Sequence, residues 1–300
     1  MIAAVERYLA LRAQLGYQDT DLRRSLRQFA AFAAKRGATR LRNDDVLAWV
    51  DPIESGYARK RRLDWIANMG TFLRAEDGRH EILPSRYASR MGPPGRPMPF
   101  VYSDEEIVRV MDGFGSLGLS HPYDAPTYRA IVGLIAATGM RLGEALNLSL
   151  ADVNGHELFI RQTKFNKDRL VFVDDSTRRA LDRYLALRPP ELDAPKLFVI
   201  WTNRTPSSVT VDQVFRRCRN YLGLEGRGGS GPPRIHDLRH TFAIRSLAEC
   251  AHDEKHVAHH IVALSTHLGH VSVKDTYWYL RLLPETKLAI TQAMEDMRHA

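Results

Sequence analysis

The sequence predicts a mainly α-helical chain in two domains, with one small β element in the second. Three observations carry that prediction. Apolar residues recur three and four positions apart through most of the 300 residues, a Pro/Gly-rich stretch breaks the pattern near residue 95, and only one later segment has the character of paired strands.

In the first domain, Val5 and Leu9, then Leu22, Leu26, Phe29 and Phe32, then Leu63, Ile66 and Phe72 fall at helical spacing between Ala3 and Leu73. Gly16 and Gly37 sit where C-terminal caps would fall, and Asn43 stands ahead of Asp44-Asp45-Val46 as a helix opener, so four helices are expected before about residue 75. The run Arg59-Lys60-Arg61-Arg62 lies in the last of them. Met91-Gly92-Pro93-Pro94-Gly95-Arg96-Pro97-Met98-Pro99 can sustain neither a helix nor an inner strand and is read as the linker, which gives domains of residues 1–90 and 100–300.

Ser103-Asp104-Glu105-Glu106 has capping-box spacing and starts the second domain's first helix. Thr127 to Thr138 reads as a buried helix, broken by Gly139-Met140-Arg141 before a further turn from Leu142 to Leu148. Leu158-Phe159-Ile160 and Leu170-Val171-Phe172-Val173 flank a polar tip, Thr163 to Asp168, and so form a hairpin with lysines at its turn. Further helices are expected at Thr177 to Leu187, Val209 to Leu222, His236 to Leu247, Lys255 to Leu264, Val273 to Leu280 and Glu285 to Met297, with a flexible Gly-rich loop from Gly226 to Pro233.

Lys and Arg number 43 against 35 Asp and Glu, a formal charge of +8, which favours a polyanionic partner such as nucleic acid or an anionic membrane surface. No apolar run reaches spanning length, Ala130 to Thr138 being the longest, and Met1 to Leu15 carries Glu6, Arg7 and Arg12, so neither a membrane span nor a signal segment is expected. Cys218 and Cys250 have no metal-type or redox-type spacing around them. They are expected to be reduced thiols in a soluble, cytoplasmic protein, with a disulfide as the alternative.

The candidate chemistry begins with His236-Asp237-Leu238-Arg239-His240, where His236 and Arg239 share a helix face. A guanidinium fork beside an imidazole suits a phosphate, although a solvated surface helix would carry the same residues. Arg141 sits at a helix break within apolar sequence, so its charge needs a partner: Glu144 as a structural pair, an anionic ligand, or both. Lys164 stands at the hairpin tip with Lys167 and Arg169 close behind, placed either to reach a leaving oxygen or merely to solvate a turn.

Leu268-Gly269-His270 follows, and Tyr279 comes nine residues after that histidine. The order Arg141, Lys164, His236-x-x-Arg239, Leu268-Gly269-His270, Tyr279 resembles the tyrosine recombinase (phage integrase) family, in its Xer-like or transposon-borne branches. The motifs cover about Phe100 to Leu283, while residues 1–90 resemble the family's helical, SAM-like core-binding domain by architecture alone.

The resemblance implies a tyrosine recombinase catalytic fold in residues 100–300. It also implies that Arg141 and Arg239 clamp a scissile phosphate, that Lys164 protonates the leaving 5′ oxygen, that His236 handles a proton, and that His270 donates a hydrogen bond. Tyr279 would be the nucleophile; Tyr277, two residues earlier on the same helix, faces another way. A phenol with a pKa of about 10 needs such a cationic surrounding to attack a phosphodiester. The product would be a 3′-phosphotyrosyl link formed without metal, nucleotide or other cofactor.

The partners implied are double-stranded DNA at recombination sites, contacted in part by Arg59 to Arg62, and copies of the chain itself as a tetramer on two sites. An accessory DNA-bending or directionality protein is left open. Two departures stand out. Gln162-Thr163-Lys164-Phe165-Asn166-Lys167 lacks the glycines that commonly flank the lysine, which keeps Lys167 in play, and the stretch from Arg239 to Leu268 is long. His252, His256, His259 and His260 within it have partial zinc-like spacing, but Asp253 stands where a metalloprotease motif needs Glu, so a solvated helix is favoured. The rival readings are a type IB topoisomerase, a DNA-binding protein without catalysis, and a zinc hydrolase.

Overall fold

The computed structural model of the chain describes residues 1–17, 19–84, 98–161, 168–250, 254–270, 272–280 and 282. It divides into two compact units, Met1–Pro97 and Met98–Ala300. Most of the linker expected at 91–99, the hairpin tip and the helix expected at 285–297 lie outside the described residues.

The first unit contains α1 (Ile2–Gln14), α2 (Thr20–Lys35), α3 (Asn43–Val50) and α4 (Gly56–Glu76). Val5 and Leu9, Leu22, Leu26 and Phe29, Val46 and Val50, and Leu63, Ile66, Met69 and Leu73 turn inward from the four helices into one core. Ser55 caps α4 by accepting from the Ala58 amide, whereas α3 opens at Asn43 without a side-chain cap. Glu81 accepts from the Asn43 amide instead. The basic run on α4 is engaged within the unit. Arg59 donates to the Ile53 and Asp51 carbonyls, Lys60 pairs with Asp64, and the guanidiniums of Arg61 and Arg62 stack on Trp65 and Trp49.

The second unit opens on α5 (Asp104–Gly113), with both arms of the Ser103/Glu106 capping box formed. Helix α6 (Asp124–Thr138) starts three residues before the sequence signal and ends at Gly139, whose φ is +63°. A Cβ there would lie 2.5 Å from Phe242, so handedness and space both require glycine. After α7 (Leu142–Asn147), a short β1 (Val153–Asn154) precedes β2 (Glu157–Ile160) and β3 (Arg169–Phe172) in an antiparallel sheet of order β1-β2-β3. Leu158 pairs with Val171 and Ile160 with Arg169. Leu158, Ile160 and Val171 are buried while Leu170 and Phe172 are exposed, the alternation of a sheet with one covered face.

Helices α8 (Asp175–Ala186) and α9 (Ser208–Tyr221) are capped by Asp174 and Ser207. The Gly226–Pro233 loop differs from the flexible segment expected. Arg227 forms two bonds to Glu106 at 2.5 and 2.7 Å, donates to the Val101 carbonyl and lies over the Phe100 ring. Ser230 closes the turn on Arg227. A charged fork anchored by a carboxylate outweighs the backbone freedom of the glycines. The chain finishes its described part with α10 (Ile235–Cys250), α11 (Glu254–Leu268) and α12 (Lys274–Leu280), which share a small core of Ala243, Ile244, Leu247, Ile261, Leu264, Leu268, Tyr279 and Leu280.

Candidate active site

Helix α10 carries the His-Asp-Leu-Arg-His segment, and each residue has a separate task. Leu238 is in the main core. Asp237 is buried and accepts from the Arg234 amide and guanidinium, which fixes the first turn of the helix. Arg239 points inward and is only 2% exposed. His236 and His240, four apart, stand on the same side with their rings 4.7 Å from each other.

The Arg239 guanidinium donates to two main-chain carbonyls, Gly139 and Leu268, each at 2.7 Å. Among the described residues no carboxylate pairs with it. Desolvation first, and then the nearby Arg141 charge, push its pKa down to about 10, which leaves it cationic at neutral pH. A buried cation balanced only by carbonyl dipoles is costly unless an anion completes its surroundings.

Those carbonyls belong to a pattern. At the C-terminal end of α11, three consecutive carbonyls each accept from a different arginine: His267 from Arg169 at 2.8 Å, Leu268 from Arg239 at 2.7 Å, and Gly269 from Arg141 at 3.0 Å. The last turn of a helix has carbonyls without intrahelical donors and carries partial negative charge, so it gathers cations. Glu144 on α7 binds the outer two arginines together. It accepts from Arg141 at 2.7 Å and from Arg169 through both oxygens at 3.0 and 2.7 Å. Burial alone would raise its pKa, but the Arg169 contact and then Arg141 outweigh burial and hold it at about 2.

Tyr279 enters the cluster from α12. It is 3% exposed, whereas Tyr277 on the same helix is 39% exposed, so a step of two residues, about 200° around the helix, separates a buried phenol from a solvated one. The Tyr279 hydroxyl is hydrogen-bonded to Nδ1 of His240 at 2.9 Å. The His270 ring stacks on Tyr279 at 6.3 Å between centroids, and Thr276 holds it through Nδ1 at 2.8 Å. His236 is exposed as a residue but has protein packed around its imidazole. Surrounding protein first, and the Arg239 charge second, both lower its pKa, so it is neutral at pH 7.

Of the residues expected from sequence, Arg141, His236, Arg239, His270 and Tyr279 are thus gathered in one region of the second unit. Lys164 and its competitor Lys167 lie outside the described residues, as do the side chains of His252 and His256. His259 is exposed, and His260 is hydrogen-bonded to Ser246 at 3.0 Å. Two further members had not been singled out. His240 is signalled only by its spacing of four from His236. In sequence Arg169 reads as one more charge of the hairpin, since nothing local shows that it reaches α7 and α11.

Two arginines, imidazoles and a buried phenol around an unbalanced positive pocket define a class: enzymes that transfer a phosphoryl group to tyrosine. The phage integrase family matches over residues 105–286. A relative named for integrases and recombinases, y4rB of Sinorhizobium fredii, is 33% identical over 94% of this chain and 93% of its own length. Tyrosine recombinase XerD of Bifidobacterium longum is 27% identical, with 81% and 77% covered. The fold is that of a lambda integrase dimer bound to a COC′ core site, at TM-score 0.64 and 16% identity over 92% of this chain and 76% of that one. It is equally that of XerH in a post-cleavage complex with palindromic difH substrate, at 0.63 and 18%, with 92% and 78% covered. The chain belongs to the phage integrase family: it is a tyrosine recombinase, a DNA strand transferase of site-specific recombination.

Proposed function

We propose that Tyr279 cleaves one DNA strand by attacking a phosphodiester held between Arg141 and Arg239. The tyrosine oxygen forms a bond to phosphorus, the bond to the 5′ oxygen breaks, and that oxygen takes a proton from Lys164 on the hairpin. His236 and His270 hydrogen-bond the phosphoryl oxygens. The 3′-phosphotyrosyl ester conserves the energy of the broken bond, so a 5′ hydroxyl from a second strand reseals it with no nucleotide or metal needed. The observation that carries this reading is the Arg239 guanidinium, buried with no carboxylate paired to it among the described residues and gathered with the Tyr279 phenol in one cluster.

Double-stranded DNA is the partner. The net charge of +8 favours it, and solved complexes of similar fold hold DNA, among them a lambda integrase tetramer bound to a Holliday junction. By the same likeness the chain works as a tetramer on two sites, with residues 1–90 as a core-binding domain and the second unit as the catalytic one. Every member of the Arg59 to Arg62 run has a partner within its own unit, and Arg61, the exposed member, held by a long 3.4 Å pair with Asp21, is the one offered for a phosphate contact.

A nicked suicide substrate carrying the recombination site tests the nucleophile. Wild type should become covalently attached to DNA and Tyr279→Phe should not, while Tyr277→Phe should react as wild type does. An adduct formed by Tyr279→Phe would sink the assignment. A recombination assay beside a relaxation assay separates strand exchange from topoisomerase action, since exchange requires matched sites.

A further inference from the structure

We propose that His240 is a further catalytic residue, the group that takes the proton of the Tyr279 hydroxyl during cleavage and returns it when the strand is rejoined. The inference rests on Tyr279 being the nucleophile, and it names the base which that reading leaves open.

The geometry starts from the phenol. Tyr279 is buried within the small core that α10, α11 and α12 share, so bulk water is a poor acceptor for its proton. A hydroxyl placed there needs a base within hydrogen-bond reach, and Nδ1 of His240 is at 2.9 Å. The contact is held from both sides. On α10, the His236 ring lies edge-on against that of His240 at 4.7 Å. On α12, Trp278 and Tyr279 both pack near its ring, at 5.6 and 5.5 Å between centroids.

Among the described contacts, the groups facing His240 include His236 from its own helix, edge-on at 4.7 Å, and Trp278 and Tyr279 from α12, with the Arg239 charge adjacent along the chain.

The step balances with groups already described. The tyrosine O–H bond breaks as a proton passes to Nδ1 of a His240 tautomer that carries hydrogen on Nε2. The oxygen–phosphorus bond forms, the bond to the 5′ oxygen breaks, and the hairpin lysine protonates that oxygen. Rejoining runs the same transfers backwards, so His240 acts as base in one half and acid in the other.

Single-turnover cleavage of the nicked substrate by full-length protein tests the proposal. His240→Gln keeps a polar group near the hydroxyl but cannot take a proton, and cleavage should slow by about 10²–10³-fold while DNA binding is kept. His240→Ala should be similarly slow and should regain part of its rate with added imidazole. A His240→Gln enzyme within about threefold of wild type, or an alanine variant that imidazole cannot help, overturns the proposal. Should neither variant fold, the double variant His236→Gln/His270→Gln removes the other two site imidazoles. Its residual cleavage must still rise as the pH is raised and a base is freed of its proton, and a flat profile is the contrary result. These outcomes are separable from failure of the nucleophile assignment, which shows instead as an adduct formed by Tyr279→Phe.

Discussion

Glu144 does at the residue scale what no other described carboxylate does in the second unit: it holds Arg141 and Arg169 together. At 8% exposure it is buried, while Arg169 and Arg141 stay 11% and 29% exposed, so Glu144→Gln leaves two partly solvated guanidiniums without their counter-charge and should cost roughly 3 kcal/mol or less. Denaturant unfolding at pH 7 measures this; a variant as stable as wild type would show that the carbonyls of α11 suffice. The sign of the pH effect follows from the same contact. The folded carboxyl titrates at about 2, below its ordinary 4.5, so its stabilisation is complete above 4.5 and disappears as the pH falls towards 2. Wild type should therefore lose stability across that acid range more steeply than Glu144→Gln does.

At the scale of elements, the end of α11 organises the pocket through its backbone. Leu268-Gly269-His270 looks in sequence like a side-chain motif carried by its histidine. In the fold, three carbonyls from His267 to Gly269 also bind three arginines, and the glycine is required for geometry. Gly269 has φ +65°, and a Cβ on it would lie 2.8 Å from the Arg169 guanidinium. The left-handed backbone alone costs a non-glycine residue about 1–2 kcal/mol, before Arg169 has to move. Gly269→Ala should melt several degrees below wild type and cleave DNA slowly, because the displaced arginine shares Glu144 with Arg141. An alanine variant with unchanged melting and cleavage would contradict this account. Gly269→Asn should be milder, since asparagine tolerates that backbone region better.

For the whole molecule, two separate hydrophobic cores predict two units of folding. One is built from α1 to α4, and the other is centred on α6 and α10. Residues 1–97 and 98–300, produced apart, should each unfold cooperatively in calorimetry. If either fragment lacks a cooperative transition, the units depend on each other for stability. The cleavage chemistry proposed above lies within the second unit, so the charge of +8 serves encounter with DNA, and affinity should weaken as salt rises.

The sequence alone determined whatever depends on neighbours along the chain. The Ser103 capping box, the hairpin alternation of Leu158, Ile160 and Val171, the glycine stop after Thr138 and the helical face shared by His236 and Arg239 are all local, because hydrogen bonds and side-chain periodicity within one element span four residues or fewer. The order of motifs also selects Tyr279 over Tyr277 as the nucleophile to test; the fold buries the first phenol and exposes the second. Only the tertiary structure decided which charges share a pocket. Arg141 meets Gly269 across 128 residues, Arg239 meets Gly139 across 100, and His240 meets Tyr279 across 39. Contacts at such separation depend on how whole helices pack, and no local pattern encodes the partner. That is why the part of Arg169, the loop contacts of Arg227 and the hydrogen bond between His240 and Tyr279 emerged from the fold.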